Sequence, residues 1–342
     1  MKVWKRTALL AVSALVLGPQ ALAQSQSPAK VSVSILYLTA DSAIFLGMEN
    51  GYFREQGLEV ELQRMTSGAD AIALLATDKL DVGSGSLTPG LLNALRRGLP
   101  IQIVAEKSSV RPLGPQGQGS GSLMVRRDLK ESGAVKTVAD LKGMRIGINN
   151  LQSTALNYVV RALVQVGLSK DDVTLVELPF NQFVPALQKK AVDAVLAFPP
   201  LVQTMESKLN LAVSMPEGST SRTSANDASN IMMYSAGFAR SDAGKRFMVA
   251  HLKGQREYMR LLKEDPGALC KVINKHIPAM PADCEGVSFT GVDPNGAINV
   301  ESLERYQREW LQWGLMKEPA DIRKTVNPEF VRHAVGVLGA QR

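Results

Sequence analysis

Residues 74–82, LLATDKLDV, return in altered form as residues 186–194, ALQKKAVDA, at an offset of 112. Both copies run from the end of a helix into a strand, so the chain uses one helix-to-strand unit twice. Such a repeat constrains the fold to two similar lobes with a cleft between them. The length of 342 residues agrees, since it exceeds what one hydrophobic core usually serves.

The first 23 residues read as an export signal. Lys2, Lys5 and Arg6 form a positive start, residues 9–17 an apolar stretch, and Ala21-Leu22-Ala23 a small-x-small cleavage site. The apolar stretch is about half the roughly 20 residues of a spanning helix, and Gly18-Pro19 breaks it. Cleavage after Ala23 is expected to leave a chain free in the periplasm, because no Cys follows the stretch to take a lipid. Without the signal, 36 basic residues face 32 acidic ones. The basic pairs Arg96-Arg97, Arg126-Arg127 and Lys189-Lys190 lack interleaved aromatics, which argues against a nucleic-acid surface. The small positive excess favours an anionic ligand. Cys270 and Cys284 are the two cysteines, 14 residues apart in the exported part. In an oxidising compartment they are expected to form a disulfide that supports the C-terminal region without touching the cleft.

After residue 28 strands and helices alternate, the mark of an α/β sheet with helical crossovers. The first lobe reads as strands over 31–36, 58–62, 80–83 and 101–105, with helices over 42–56, 70–77 and 90–97. Residues 111–121, RPLGPQGQGSG, read as a hinge or rim loop. The spacing of Gly117, Gly119 and Gly121 imitates a dinucleotide fingerprint, but no helix begins on those glycines. The second lobe reads as strands over 122–126, 145–148, 173–178, 194–197 and 211–213, with helices over 138–141, 154–166, 184–190 and 201–209. Polar residues 218–230 read as the return crossing to a strand over 231–236. Helices are expected over 242–263, 300–313 and 328–338, the first with Phe247, Leu252, Tyr258 and Leu261 on its apolar face.

These elements, together with the motifs GMENGYFREQGLEVEL, SGADAIALLATDKLDVGSGS, TVADLKGMRIGI and PALQKKAVDAVLAFPPL, resemble the periplasmic substrate-binding proteins of ABC importers. Within them the chain looks like the group that binds nitrate, bicarbonate, alkanesulfonates, taurine and thiamine pyrimidine precursors. The resemblance covers about residues 31–262. It implies the two-lobed α/β fold of type II periplasmic binding proteins, each lobe a mixed sheet flanked by helices and the two joined by two crossing segments. On that division residues 28–118 and 228–342 form one lobe with the C-terminal helices, and residues 119–227 the other. The aromatic anchor of the group falls on Tyr37, where some members carry Trp.

Ligands of open α/β sheets sit at strand C-termini, beside helix N-termini whose free N–H groups favour anions. That rule selects Tyr37, Thr39 and Asp41 after the first strand, and Ser67 and Gly68 before the second helix. It also selects Ser86 and Thr88 after the Asp81 strand and, on the other lobe, residues 149–154 with Ser153 and Thr154. Phe198 ends a second-lobe strand, and Asn230 lies in the return crossing. Plainer uses compete: Asp41, Ser67 and Ser153 suit helix caps, and Pro199 and Pro200 suit a first helical turn. Arg111, in the hinge loop, is either a partner for an anion or solvated surface.

Enzyme signatures are missing: there is no GxSxG, P-loop or HExxH. His251, His276 and His333 all lie in the C-terminal part without metal-ligand spacing. The expectation is a monomeric receptor with no catalytic residues, metal or cofactor, handing one small solute to the membrane permease of an ABC importer. Two alternatives remain. One is a pyrimidine-synthase-like enzyme of the same fold, whose cysteine cluster and active-site histidine have no counterpart here; the other is a ligand sensor for a membrane kinase.

Overall fold

The computed structural model describes residues 1, 27–66, 68–111, 121–278, 284 and 287–341; the export signal and cleavage site lie outside them. Ten strands occur among these residues: β1 (Ala29–Ile35), β2 (Leu58–Arg64), β3 (Val82–Gly85), β4 (Ile101–Ser109), β5 (Ser122–Arg126), β6 (Arg145–Ile148), β7 (Thr174–Glu177), β8 (Ala194–Ala197), β9 (Ala212–Ser219) and β10 (Ala228–Ser235). They form two five-stranded sheets of matching plan, ordered β2-β1-β3-β10-β4 and β7-β6-β8-β5-β9. In each, four strands run the same way and the fourth in order runs antiparallel to both its neighbours. That fourth strand is in both cases the one that follows a connection from the other sheet. The fold is two-lobed α/β.

The repeat holds to the residue. Helices Ala71–Ala76 and Phe183–Gln188 stand 112 apart, as do β3 and β8. Asp78 and Lys190, at the same offset, both turn left-handed with φ of 52° and 55°. Asp81 accepts the Ser32 N–H at 2.8 Å, and its counterpart Asp193 accepts the Arg145 N–H at 2.9 Å. Each carboxylate thereby ties the central strand that it opens to the parallel strand beside it.

Several elements depart from expectation for identifiable reasons. The helix expected over 42–56 is two, Ser42–Glu49 and Tyr52–Glu55, because Gly51 takes a left-handed φ of 76° between them. The helix expected over 201–209 is a short turn, Leu201–Gln203, continuing into a wider π-helical turn, Thr204–Lys208. β9 runs to Ser219 and β10 starts at Ala228, so both ends of the polar stretch 218–230 belong to strands. Helix Pro266–His276 was not anticipated; Pro at its first turn and the Asp265 carboxylate, which accepts the Ala268 N–H at 2.9 Å, begin it.

Helix Asp242–Glu264 covers one face of the first sheet and packs on Ser42–Glu49. A Cβ on Gly254 would lie 2.2 Å from the Ala43 carbonyl oxygen, so only glycine permits the approach. The C-terminal region is divided. Glu329–Leu338 packs beside Asp242–Glu264 on the first sheet, whereas Val300–Gln312 docks on Thr154–Gln165, the long helix of the second. That long helix buries Leu156, Tyr158, Val159, Val160 and Leu163. Trp310 packs in the same apolar cluster, its indole N–H donating to Asn157 Oδ1 at 2.9 Å. One apolar cluster therefore runs from Leu91 and Ile231 through Tyr306 and Trp310 to Tyr158.

Candidate functional site

A narrow cavity, open at its mouth, lies where the C-terminal ends of the two sheets face each other. From the first sheet come Leu36, Leu38, Thr39 and Ala40 after β1, Gly68 after β2, and Ser86 and Thr88 after β3. Opposite them stand Asn149, Asn150 and Ser153 after β6, Ala155 and Tyr158 on the next helix, Phe180 after β7, and Phe198 with Pro199 after β8. Ser229 and Asn230 of β10 close one side, together with Thr290.

The repeat shows in the lining. At the offset of 112, Gly68 corresponds to Phe180 and Ser86 to Phe198, so small positions face aromatic ones across the cleft. Gly68 has no choice in this. A Cβ on Gly85 would stand 2.5 Å from the Gly68 Cα, and one on Gly68 would stand 2.8 Å from the Gly85 Cα. The loops after β2 and β3 touch backbone to backbone.

Most lining hydroxyls also serve the fold. Thr88 Oγ1 accepts the Leu91 N–H at 3.0 Å and caps helix Pro89–Arg96, which begins with Pro. Ser153 Oγ accepts the Ala155 N–H at 3.3 Å and donates to the Asn150 carbonyl at 2.9 Å. Asn230 Nδ2 donates to Ser108 Oγ at 2.9 Å, and Ser108 bonds Ser229 at 2.8 Å. The amide and the two serines of β4 and β10 thus hold one another in place.

Of the residues selected from sequence, Thr39, Gly68, Ser86, Thr88, Ser153, Phe198 and Asn230 come together on this cavity. Ser67 lies outside the described residues. Tyr37 faces elsewhere: its ring sits under the Arg64 guanidinium at 4.4 Å and near Phe45 at 6.2 Å, and its left-handed φ of 56° accompanies that placement. Thr154 is buried behind the lining, one position into the helix that Ser153 caps. Asp41 is fully buried and pairs with buried Lys107, which also donates to Ser84 Oγ at 2.5 Å, so its charge is answered within the first lobe. Arg111 is answered likewise, by Asp293 at 3.0 Å. Among the described lining residues none carries a formal charge.

Tyr158, Phe180, Ser229 and Thr290 were not selected. The repeat itself points to Phe180, as the partner of Gly68. Thr290 had no local signal. The Cys270–Cys284 disulfide is formed, neither cysteine lines the cavity, and Thr290, six residues after Cys284, does. Among the described residues no group of three or more His, Cys, Asp or Glu side chains is placed to hold a metal.

Away from the lining, Glu106 of β4 is completely buried. Burial pushes its carboxyl up to about 7, against the pull of the Asn299 N–H at 3.2 Å and the Arg111 guanidinium, while Asp293 adds to the rise. In the unfolded chain the proton leaves near the ordinary 4.5. Between those values the folded chain binds more protons, so this group makes stability fall as pH rises from about 4.5 to about 7, with no further change above. Glu106→Gln is therefore expected to exceed the parent in stability by about 2–3 kcal/mol at pH 8 and to match it at pH 4. Urea melts at the two pH values check this; equal gains at both would remove Glu106 as the cause.

Comparison with known proteins bears on this geometry. A putative thiamine biosynthesis protein of Haemophilus influenzae is 32% identical over 174 residues, 49% of this chain and 50% of that one. The taurine-binding periplasmic protein of Escherichia coli is 26% identical over 177 residues, 52% of this chain and 51% of that one. An enzyme is among the relatives too: 4-amino-5-hydroxymethyl-2-methylpyrimidine phosphate synthase of Saccharomyces cerevisiae, 29% identical over 139 residues, 40% of this chain and 36% of that one. The chain spans about half the length of the first of these relatives. Among solved structures, the alkanesulfonate-binding protein SsuA of Xanthomonas axonopodis pv. citri, bound to MOPS, superposes with a TM-score of 0.68 over 88% of this chain and 99% of that one. At 18% identity that likeness shows the fold alone. The NMT1/THI5-like family profile matches residues 39–260, a span that takes in both repeated units and every lining residue except Leu36, Leu38 and Thr290, and the chain belongs to that family.

Proposed function

We propose that the chain is the solute receptor of an ABC importer, binding one small molecule between its lobes and handing it to a membrane permease. The carrying observation is the cleft itself, where the C-terminal ends of two repeated sheets face each other across hydroxyls, amides and aromatic rings. The described lining offers no carboxylate, imidazole, thiol or amine, a chemistry suited to holding a molecule and not to breaking one. This favours a receptor over the synthase activity of the yeast relative. The taurine-binding relative points the same way. Export, cleavage after Ala23, a periplasmic monomer and lobes of residues 28–118 with 228–342 and of 119–227 belong to the same reading.

The solute carries a flat or apolar part against Phe180 and Phe198. Any negative charge on it is met by hydroxyls, amides and the N-terminus of helix Thr154–Gln165, since no lining side chain supplies a counter-charge. A thermal-shift panel of taurine, ethanesulfonate, benzenesulfonate, benzoate and an aminopyrimidine tests this. A binder at 100 times its Kd should stabilise by about 2.7 kcal/mol. Phe198→Ala should weaken the ring-bearing members about tenfold, roughly 1.4 kcal/mol, and taurine much less. A panel without a single shift would sink the receptor reading for this chemical range, and equal losses for all members would sink the role of Phe198.

A further inference from the structure

Thr290 reaches the cleft from beyond residue 260, where the family match ends. It is nearly buried, and its hydroxyl has no hydrogen-bond partner among the described residues. Its backbone is fastened closely. Phe289 and Val292 pack into the apolar cluster that holds Cys270, Cys284, Tyr258 and Ile273. The Tyr258 hydroxyl donates to the Thr290 carbonyl at 2.8 Å. Ser109 and Gly291 exchange two backbone hydrogen bonds, at 2.8 and 3.0 Å.

Those last bonds place the segment at the junction of the lobes. Ser109 ends β4, where the chain leaves the first sheet for the second. The next residue, Val110, donates its N–H to the carbonyl of Asp227 at 2.8 Å, and Asp227 immediately precedes β10 on the way back. Arg111 pairs with Asp293 at 3.0 Å. Residues 289–293 thus lie along the outgoing connection while the returning one bonds it too. Only glycine fits at 291, since a Cβ there would stand 2.6 Å from the Arg111 Cβ and 2.8 Å from its carbonyl oxygen. At the near end, the Val287 N–H donates to the Cys284 carbonyl at 3.0 Å, and the disulfide ties Cys284 to helix Pro266–His276.

We propose that residues 289–293 are a third strand of the hinge, anchored by the Cys270–Cys284 disulfide, and that they present Thr290 as a hydrogen-bonding contact for the bound solute. The contact role rests on the cleft reading above; the anchoring role does not. The disulfide is then a positioning element for the binding site as well as a brace for the C-terminal region.

Hydrogen exchange on the whole chain tests the anchor without any ligand. In the Cys270→Ala, Cys284→Ala double variant, peptides carrying the Ser109 and Gly291 amides should exchange at least tenfold faster, while peptides from β6 and β8 keep their rates. Unchanged exchange at those two amides, or equal acceleration in both sheets, overturns the anchor. Thr290→Val keeps the carbonyl that Tyr258 uses and removes only the hydroxyl, so its fold is expected to stand. Calorimetric titration with the tightest member of the panel, taurine or benzenesulfonate included, should show Kd raised five- to tenfold in Thr290→Val. The cysteine variant should show a similar rise, and the triple variant little more than either. Binding within twofold of the parent in Thr290→Val overturns the contact alone. A panel with no binder removes the receptor reading and the contact together and leaves the exchange result to decide the anchor.

Discussion

Asp227→Ala is expected to destabilise the protein by about 3–5 kcal/mol, the usual loss when one partner of a buried ion pair is removed. Asp227 is 1% exposed and accepts from Arg161 Nη1 at 2.6 Å and from Arg305. Arg161 is itself mostly buried, and it also reaches Ser224 at 2.7 Å and Glu309 at 2.8 Å. Without Asp227, Glu309 alone is left to answer the Arg161 charge. Asp227→Asn keeps the shape and loses the charge, so it should fall most of the way too. Urea melts monitored by circular dichroism measure both. A loss below about 1 kcal/mol would show that the cluster behaves as a solvated surface pair.

Trp310→Ala should cost a similar amount, about 3–5 kcal/mol, for a different reason. The indole is fully buried and stacks on Tyr306 at 6.1 Å. Truncating it leaves a cavity beneath Thr154–Gln165 and strips Asn157 Oδ1 of its donor. Tyr306 links the two sites, because Arg161 lies over its ring at 5.1 Å and its hydroxyl donates to the Ala228 carbonyl at 3.2 Å. The Asp227→Ala, Trp310→Ala pair should therefore lose less than the two single losses together. Additivity within about 0.5 kcal/mol would mean that the two sites do not share one packing unit.

The repeat was legible because its physics is local. A helix, a left-handed turn and an Asp that accepts a strand N–H leave the same pattern wherever they recur, and Asp81 and Asp193 were visible as a pair. Positions after strands were legible for the same reason, and Gly68, Ser86 and Ser153, selected on that ground, lie on the cavity lining. Tyr37 lies off it, since its ring follows a guanidinium supplied by β2, 27 residues away. The docking of Trp310 on Asn157 spans 153 residues and leaves no periodic trace. Thr290 was hidden further still, because its segment is fastened by a buried tyrosine and a strand bridge whose partners lie 32 and 182 residues away. Helix limits failed where one residue decided them, as Gly51 did.

The backbone contact between Gly68 and Gly85 has a consequence for how the lining of this cavity can change. A side chain at position 68 would force the loops after β2 and β3 apart, so substitution there costs the local architecture. The corresponding place in the second half, Phe180, carries no such restriction. Doubling the unit has in this way freed one copy to explore while the other keeps the architecture, and a new ligand preference arising at this pair of positions must enter through the second lobe.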